Sequence, residues 1–314
     1  MHIREATETD IPGILEVLKA SLGETSSKKT EKVWRYKHID NPFGESLVLV
    51  ALEQDRIIGV RAFMRWKWQK GNRIYSAFRA VDTATHPKHQ GKGIFKKLTL
   101  RALEIAKKQG DHFVFNTPNE QSKPGYLKMG WEEVDKLEIQ LAPSNPLYWK
   151  FKAKRPNYKI NKNSNIENLK ALLISAHNRK VAGGMFTPKT PEYLSWRFDR
   201  NPLQQYHILH EDGYYIAGYV KQRSRLKEFR ISERICSDKD SERKANKAIK
   251  NLAKKFGAQI ISCQSGEIPL SPFALTANFG PWLTLKNVNL KKKDYDDYKQ
   301  LRNWSYSIGD LELF

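Results

Sequence analysis

Apolar residues Ile14, Leu15, Val17, Leu18 and Leu22 recur at helical spacing behind Pro12 and the capping oxygens of Thr7 and Asp10, after a short extended run that begins at Ile3. This order predicts a strand, then a helix. A second helix is predicted over 29–38, ending before the Asn41-Pro42 breaker. Residues 46–53, 56–68 and 74–85 are β-rich runs separated by the turn residues Gln54-Asp55 and Lys70-Gly71-Asn72, which predicts an antiparallel meander. Ile94, Leu98, Ala102, Ile105 and Ala106 then share one face of a helix over 94–109, which Gly110 stops. Beyond it, 113–116 reads as a buried strand, 125–129 as a helical turn and 131–141 as another strand.

The second half echoes the first. Trp34-Arg35-Tyr36 with Asn41-Pro42 returns as Trp196-Arg197-Phe198 with Asn201-Pro202, and Gly59 returns as Gly218. Ala106-Lys107-Lys108 before Phe113-Val114-Phe115 returns as Ala253-Lys254-Lys255 before Ile260-Ile261-Ser262, and Gly130-Trp131 is echoed by Gly280 and Trp282. Four matches in one order predict a degenerate tandem repeat. Between Gly59/Gly218 and Ala106/Ala253 the second copy is 12 residues shorter. In that interval the first copy has Gln90-Gly91-Lys92-Gly93, and the second has 236–242, without a glycine. The expected division is a first domain over 1–145, a basic linker over 146–163 and a degenerate second domain over 164–314. Residues 295–314 are expected to pack on the second domain.

The 314 residues suit two domains, and 39% apolar content suffices for a core in each. Only two cysteines, Cys236 and Cys263, occur, without metal-ligand spacing, and no stretch approaches the roughly 18 apolar residues of a membrane span. A cytoplasmic protein with no metal and no membrane partner is the expectation. The net charge is +21, and Lys plus Arg exceed Asp plus Glu by 6 over residues 1–140 and by 15 over 141–314. That excess fits nucleic acid, an acidic surface, a polyanionic ligand or plain solvation.

Glycines just before a helix leave backbone N–H groups uncovered at the positive end of the helix dipole, where phosphate oxygens can approach. Gln90-Gly91-Lys92-Gly93 leads straight into the helix at Ile94, with Lys92, Lys96 and Lys97 adding charge. The P-loop spacing is absent, and the dinucleotide pattern fails at its third glycine. Kinase and dehydrogenase chemistry are therefore excluded.

The stretch from Ala84 to Phe95 resembles the acetyl-CoA-binding motif of the GNAT N-acetyltransferase superfamily, Gln/Arg-x-x-Gly-x-Gly/Ala, with Gln90 and Gly93 matching and Phe95 in place of the usual small residue. Asn119, Tyr126 and Gly130-Trp131 resemble the later motif of that family. The resemblance implies an α/β (α+β) fold of two tandem GNAT-like domains, each a mixed, mostly antiparallel sheet flanked by helices. It also implies that acetyl-CoA is the co-substrate, its pyrophosphate resting on Gln90, Gly91, Lys92, Gly93, Ile94, Phe95 and Lys96, with Asn119 close by. The pantetheine arm would lie between strands ending at Thr85 and Asn116. Backbone N–H groups of Thr83, Ala84 and Thr85 would polarise the acetyl carbonyl, and Tyr126 would donate to the departing thiolate.

The base that frees the acceptor amine is open between Asp82, Glu120 and ordered water. By strand alternation Asp82 should share a face with Phe78, Ala80 and Ala84. The expected activity is transfer of an acetyl group to a small-molecule or peptide amine by direct attack. Alternatives are a tRNA-dependent or cell-wall aminoacyltransferase, for which the basic half would hold RNA, and a non-catalytic acyl-CoA sensor. The acceptor and the oligomeric state are not written in these residues.

Overall fold

The computed structural model describes residues 1–24, 28–151, 171–211, 213–223, 226–266 and 268–312. The expected linker lies outside the described residues from 152 onward. The first half runs β1 (His2–Glu5), α1 (Ile11–Leu22), α2 (Glu31–His38), β2 (Leu47–Glu53), β3 (Arg56–Lys70), β4 (Arg73–Thr85), α3 (Ile94–Lys108), β5 (Phe113–Asn116), α4 (Lys123–Lys128), β6 (Glu132–Lys136) and β7 (Ile139–Pro143). The second runs α5 (Ala171–Val181), α6 (Pro191–Leu194) continued by a π-helical turn (Ser195–Asp199), β8 (His207–Glu211), β9 (Tyr214–Arg223), β10 (Leu226–Cys236), α7 (Lys239–Phe256), β11 (Ile260–Cys263), β12 (Leu275–Ala277), β13 (Trp282–Asn287), α8 (Lys292–Tyr298) and α9 (Ile308–Leu311). The helices form where the apolar spacing requires: α1 buries Ile11, Ile14, Val17 and Leu18, and α3 buries Ile94, Leu98, Ala102 and Ala106. The strands form two mixed, mostly antiparallel sheets flanked by helices, an arrangement consistent with two GNAT-like units.

The sheets exchange strands. The first has the order β1-β2-β3-β4-β5-β13-β6 and the second β12-β7-β11-β10-β9-β8. A boundary after residue 145 thus follows the order along the chain, whereas sheet membership crosses it in both directions. The single strand expected over 131–141 is two strands. Between β6 and β7 the chain passes from one sheet to the other at Leu137, whose N–H donates to the Pro281 carbonyl (3.0 Å) and whose carbonyl accepts from Gly280 (2.9 Å).

Some of the expected matches fall on similar elements of the two halves. Thr30 and Thr190 cap α2 and α6 with their side-chain oxygens. Tyr36 and Trp196 stack at 5.1 Å, and each donates to the other's backbone carbonyl, at 2.9 and 2.8 Å. The fourth echo fails as an equivalence, because Trp131 precedes β6 whereas Trp282 opens β13, which corresponds in order to β7.

One apolar cluster joins Trp34, Trp66 and Trp68 of the first half to Tyr193, Trp196, Phe198 and Trp304 of the second. The terminal segment does not keep to the second unit. Tyr298 Oη donates to Tyr75 Oη (2.6 Å), Asp294 pairs with Arg73 (3.1 Å), Asp297 pairs with Lys70, and Trp304 meets Trp68 edge-on at 4.7 Å. Aromatic area needs cover from both sheets, and 292–304 supplies it on the first.

Candidate active site

β4 and β5 pair in parallel only over Ala77–Arg79 with Phe113–Phe115. Beyond these residues the strands part. The cause is local: the β3–β4 register slips between Arg61/Thr83 and Ala62/Val81, leaving Asp82 as an extra residue at φ 40°. The bulge reverses the alternation, so Phe78 and Ala80 pack toward α3 while Val81 and Ala84 join the opposite cluster. Asp82 consequently does not share a face with Phe78, Ala80 and Ala84 as simple alternation requires.

Between the parted strands lies a cleft of about 900 Å³, which takes in Thr83, Ala84, Thr85, Gln90, Gly91, Gly93, Phe95, Lys96, Asn119 and Tyr126. The His86 N–H donates to the Ile58 carbonyl on β3 (2.9 Å). Strand alternation then turns the Thr85 and Thr83 N–H groups to the other edge, toward the cleft. At the cleft's end Gly91 and Gly93 have φ of 76° and 72°, and a Cβ added at either meets nothing within 4 Å. The loop is open where an anion would rest, and α3 behind it carries no side-chain cap. Gln90 braces the loop by donating from Nε2 to the Thr85 carbonyl (3.3 Å). Ile94 is buried beneath it, and Lys92 is exposed outside the cleft lining.

Tyr126, 6% exposed, sits on α4 with its ring edge-on to Phe95 (5.7 Å) and Trp131 (5.1 Å). Its hydroxyl accepts from Arg61 Nη1 at 2.7 Å. Because that bond uses the oxygen as acceptor, the phenolic proton stays available to donate into the cleft. Asn119 shapes the turn ahead of α4, its side-chain oxygen accepting from the Ser122 N–H (2.9 Å).

The two carboxylates expected to compete for the base differ in place. Glu120 is exposed and outside the cleft lining. Asp82 lines the cleft but is pinned by Lys37 and by His38 Nε2 (3.0 Å), whose Nδ1 meets Ser46 Oγ (2.9 Å). Burial alone would raise the Asp82 carboxyl, but the Lys37 ammonium and the His38 hydrogen bond hold it far below the usual carboxylate range. His38 itself is pushed down by burial. Lys29, Lys37, His38 and Arg61 have no motif to mark them in the sequence. Arg61 alone carries a signal, a cation inside the apolar run from Ile57 to Met64.

The second half is built differently at the matching place. Asp238 caps α7, accepting from the Ser241 N–H (2.8 Å), and those hydrogen bonds hold its carboxyl down at about 2. The helix end that faces solvent in α3 thus has a carboxylate of its own in α7. Near Ser232, the bulge of β10, the Glu312 carboxylate accepts from Tyr219 Oη (2.5 Å), Arg230 Nη1 (3.0 Å) and Ser232 Oγ (3.1 Å). Eight residues separate β4 from α3, against two between β10 and α7, and the β3–β4 hairpin has strands of 15 and 13 residues against 10 and 11. The deletion is shared by the loop and the hairpin.

The fold recurs in solved structures. A probable N-acyltransferase from Enterococcus faecalis superposes with a TM-score of 0.65 at 12% identity, over 91% of this chain and 72% of that one. A GCN5-related N-acetyltransferase from Anabaena variabilis gives 0.64 at 14%, over 92% and 73%. One from Kribbella flavida gives 0.63 at 15%, over 91% and 70%. No curated protein matches the chain. At such identities the likeness is one of fold, and the sequence supplies the rest: the model of the acetyltransferase (GNAT) domain matches residues 2–134, the stretch that contains the parted strands, the glycine loop and Tyr126. Over residues 2–134 the chain is thus similar to the acetyltransferase (GNAT) domain.

Proposed function

We propose that the protein is an acetyl-CoA-dependent N-acetyltransferase that acts on a primary amine, with its active site in the first copy. One observation supports this above others: the glycine loop, the unpaired β4 edge and the Tyr126 hydroxyl all open onto the same cleft. Acetyl-CoA, when bound, supplies an acetyl group activated as a thioester. The N–H groups from Gly91 to Lys96 would hold its pyrophosphate, and the open space over both glycines suits that group. The Thr83 and Thr85 N–H groups would stabilise negative charge on the acetyl oxygen as the amine's lone pair forms the new C–N bond. As the C–S bond breaks, its electron pair leaves with sulfur. Tyr126 donates a hydrogen bond to that sulfur, and the thiolate takes its proton from solvent as it leaves. The amine's surplus proton goes to water, because Asp82 is held as a counter-ion to Lys37 and Glu120 stands outside the cleft. Asp82 serves instead to fix the bulge that parts the strands.

Calorimetric titration tests this. Acetyl-CoA should bind the protein with a Kd of tens of micromolar or tighter, and no heat of binding in that range would remove the reading. Gly93→Val should weaken binding at least about tenfold. Valine is strained at positive φ by roughly 1–2 kcal/mol and places its branches in the phosphate space. Screening amino sugars, polyamines and peptide N-termini then identifies the acceptor.

A further inference from the structure

Among the described residues three arginines are fully buried: Arg61, Arg79 and Arg197. Two are held chiefly by backbone carbonyls, although Arg79 Nε is also buried without a partner among the described residues. Arg79 donates to the Leu311 (2.6 Å) and Glu312 (2.9 Å) carbonyls, and Arg197 donates to the Gly309 carbonyl (3.0 Å) and Tyr206 Oη (3.2 Å). Arg61 is different. Its hydrogen bonds go to two hydroxyls, Tyr126 Oη (2.7 Å) and Thr83 Oγ1, while Nε and Nη2 are buried with no partner among the described residues. It forms no ion pair among the described residues. The guanidinium otherwise meets ring faces, with centroids at 4.6 Å for Phe63, 5.2 Å for Tyr126 and 5.7 Å for Phe95.

A buried cation without a carboxylate is costly to the fold, and an apolar side chain of similar volume would fill this space without the desolvation penalty. Packing therefore does not account for a charge here. What the charge touches does. Both of its hydrogen-bond partners line the cleft, one in the β4 segment that would face the acetyl oxygen and the other at the hydroxyl that would face sulfur.

Resting on the proposed acetyl-CoA chemistry, we infer that Arg61 is a positioning residue that acts through Tyr126 to favour the thiolate form of CoA in the cleft. By occupying the phenol oxygen as acceptor, Nη1 turns the phenolic proton toward the sulfur. The uncompensated guanidinium charge then offsets the negative charge that arrives on sulfur with the C–S electron pair. In the thioester that charge is absent, so Arg61 contributes little to binding acetyl-CoA and much to the state reached as the bond breaks.

The test compares CoA with acetyl-CoA, whose sulfur carries no proton to lose. Titration calorimetry of the full chain and of Arg61→Met, between pH 7 and 9 in two buffers of different ionisation enthalpy, reads both affinity and proton release. CoA should bind the unaltered protein more tightly as pH rises toward the ordinary thiol range near about 8.5, with release of protons. Arg61→Met should lose that release and about tenfold in CoA affinity at pH 9, keep acetyl-CoA affinity within about threefold, and have a Tm equal to or above that of the unaltered protein. Arg61→Lys, which keeps the charge, should keep the proton release. Equal loss of both ligands with a lowered Tm would make Arg61 structural and overturn the inference, as would unchanged proton release in Arg61→Met. If acetyl-CoA fails to bind the unaltered protein, the cofactor reading falls first and this one with it.

Discussion

Tyr126→Phe should lower kcat by about 100-fold while leaving the KM for acetyl-CoA within about twofold, the range expected when one hydrogen-bond donor to a leaving group is removed. The ring keeps its contacts with Phe95 and Trp131, so the cleft keeps its shape. What is lost is the oxygen that accepts from Arg61 and that would donate into the cleft. Removing it also deprives a buried guanidinium of one of its two acceptors, which should cost about 1–3 kcal/mol of stability. Steady-state rates followed by thiol release, with a thermal melt beside them, read both effects. An unchanged kcat would take Tyr126 out of the mechanism.

The largest stability effect is expected far from the cleft, at Asp310. This carboxylate is fully buried in α9, where Oδ1 accepts from Lys189 Nζ (2.7 Å) and Tyr193 Oη (2.8 Å) and Oδ2 accepts from the Ser307 N–H (2.8 Å). Lys189 also pairs with buried Glu233 (2.8 Å). Burial would depress the Lys189 ammonium, but the two carboxylates together raise it, and Lys189 in turn holds Asp310 down against its own burial. Asp310→Ala leaves a buried cation with one counter-ion, and a phenol and an amide without their acceptor. Breaking such a pair from one side costs about 3–5 kcal/mol, so Tm should fall by on the order of 10 °C. Calorimetry decides this, and a fall under about 2 °C would show that the network contributes little. Because α9 also takes the Arg79 hydrogen bonds from the first sheet, the variant should loosen both sheets together.

Much of the first domain is legible in the sequence because its signals are short-range. The glycine loop from Gln90 to Gly93 is marked by its place just before a helix and by its resemblance to the GNAT motif, α3 by its apolar stripe, and Tyr126 by the resemblance of Asn119, Tyr126 and Gly130-Trp131 to that family's later motif. Asp82 is only half legible. Its presence in an apolar strand is visible, but the bulge that turns it toward Lys37 and His38 comes from a pairing slip with β3, which no alternation pattern records. Arg61 gains its meaning from a tyrosine 65 positions away. The exchange of β7 and β13 leaves no trace at all, since a strand's apolar alternation is the same whichever sheet receives it. Likewise Trp282 looks like a repeat of Trp131 until the partners of its strand are known.

That exchange governs how the chain can be made. Among the described residues β6 pairs only with β13, and β13 also covers the edge of β5. A ribosome that has released residue 136 must still deliver everything through 287 before the first sheet can close, roughly 8–30 s at ordinary elongation rates. During that interval the nascent chain exposes an unfilled slot between two strands, together with aromatic surface that α8 and Trp304 will later cover. The half that would hold the catalytic groups is thus the first to be synthesised and cannot be the first to finish folding. Its maturation waits for the half that follows it.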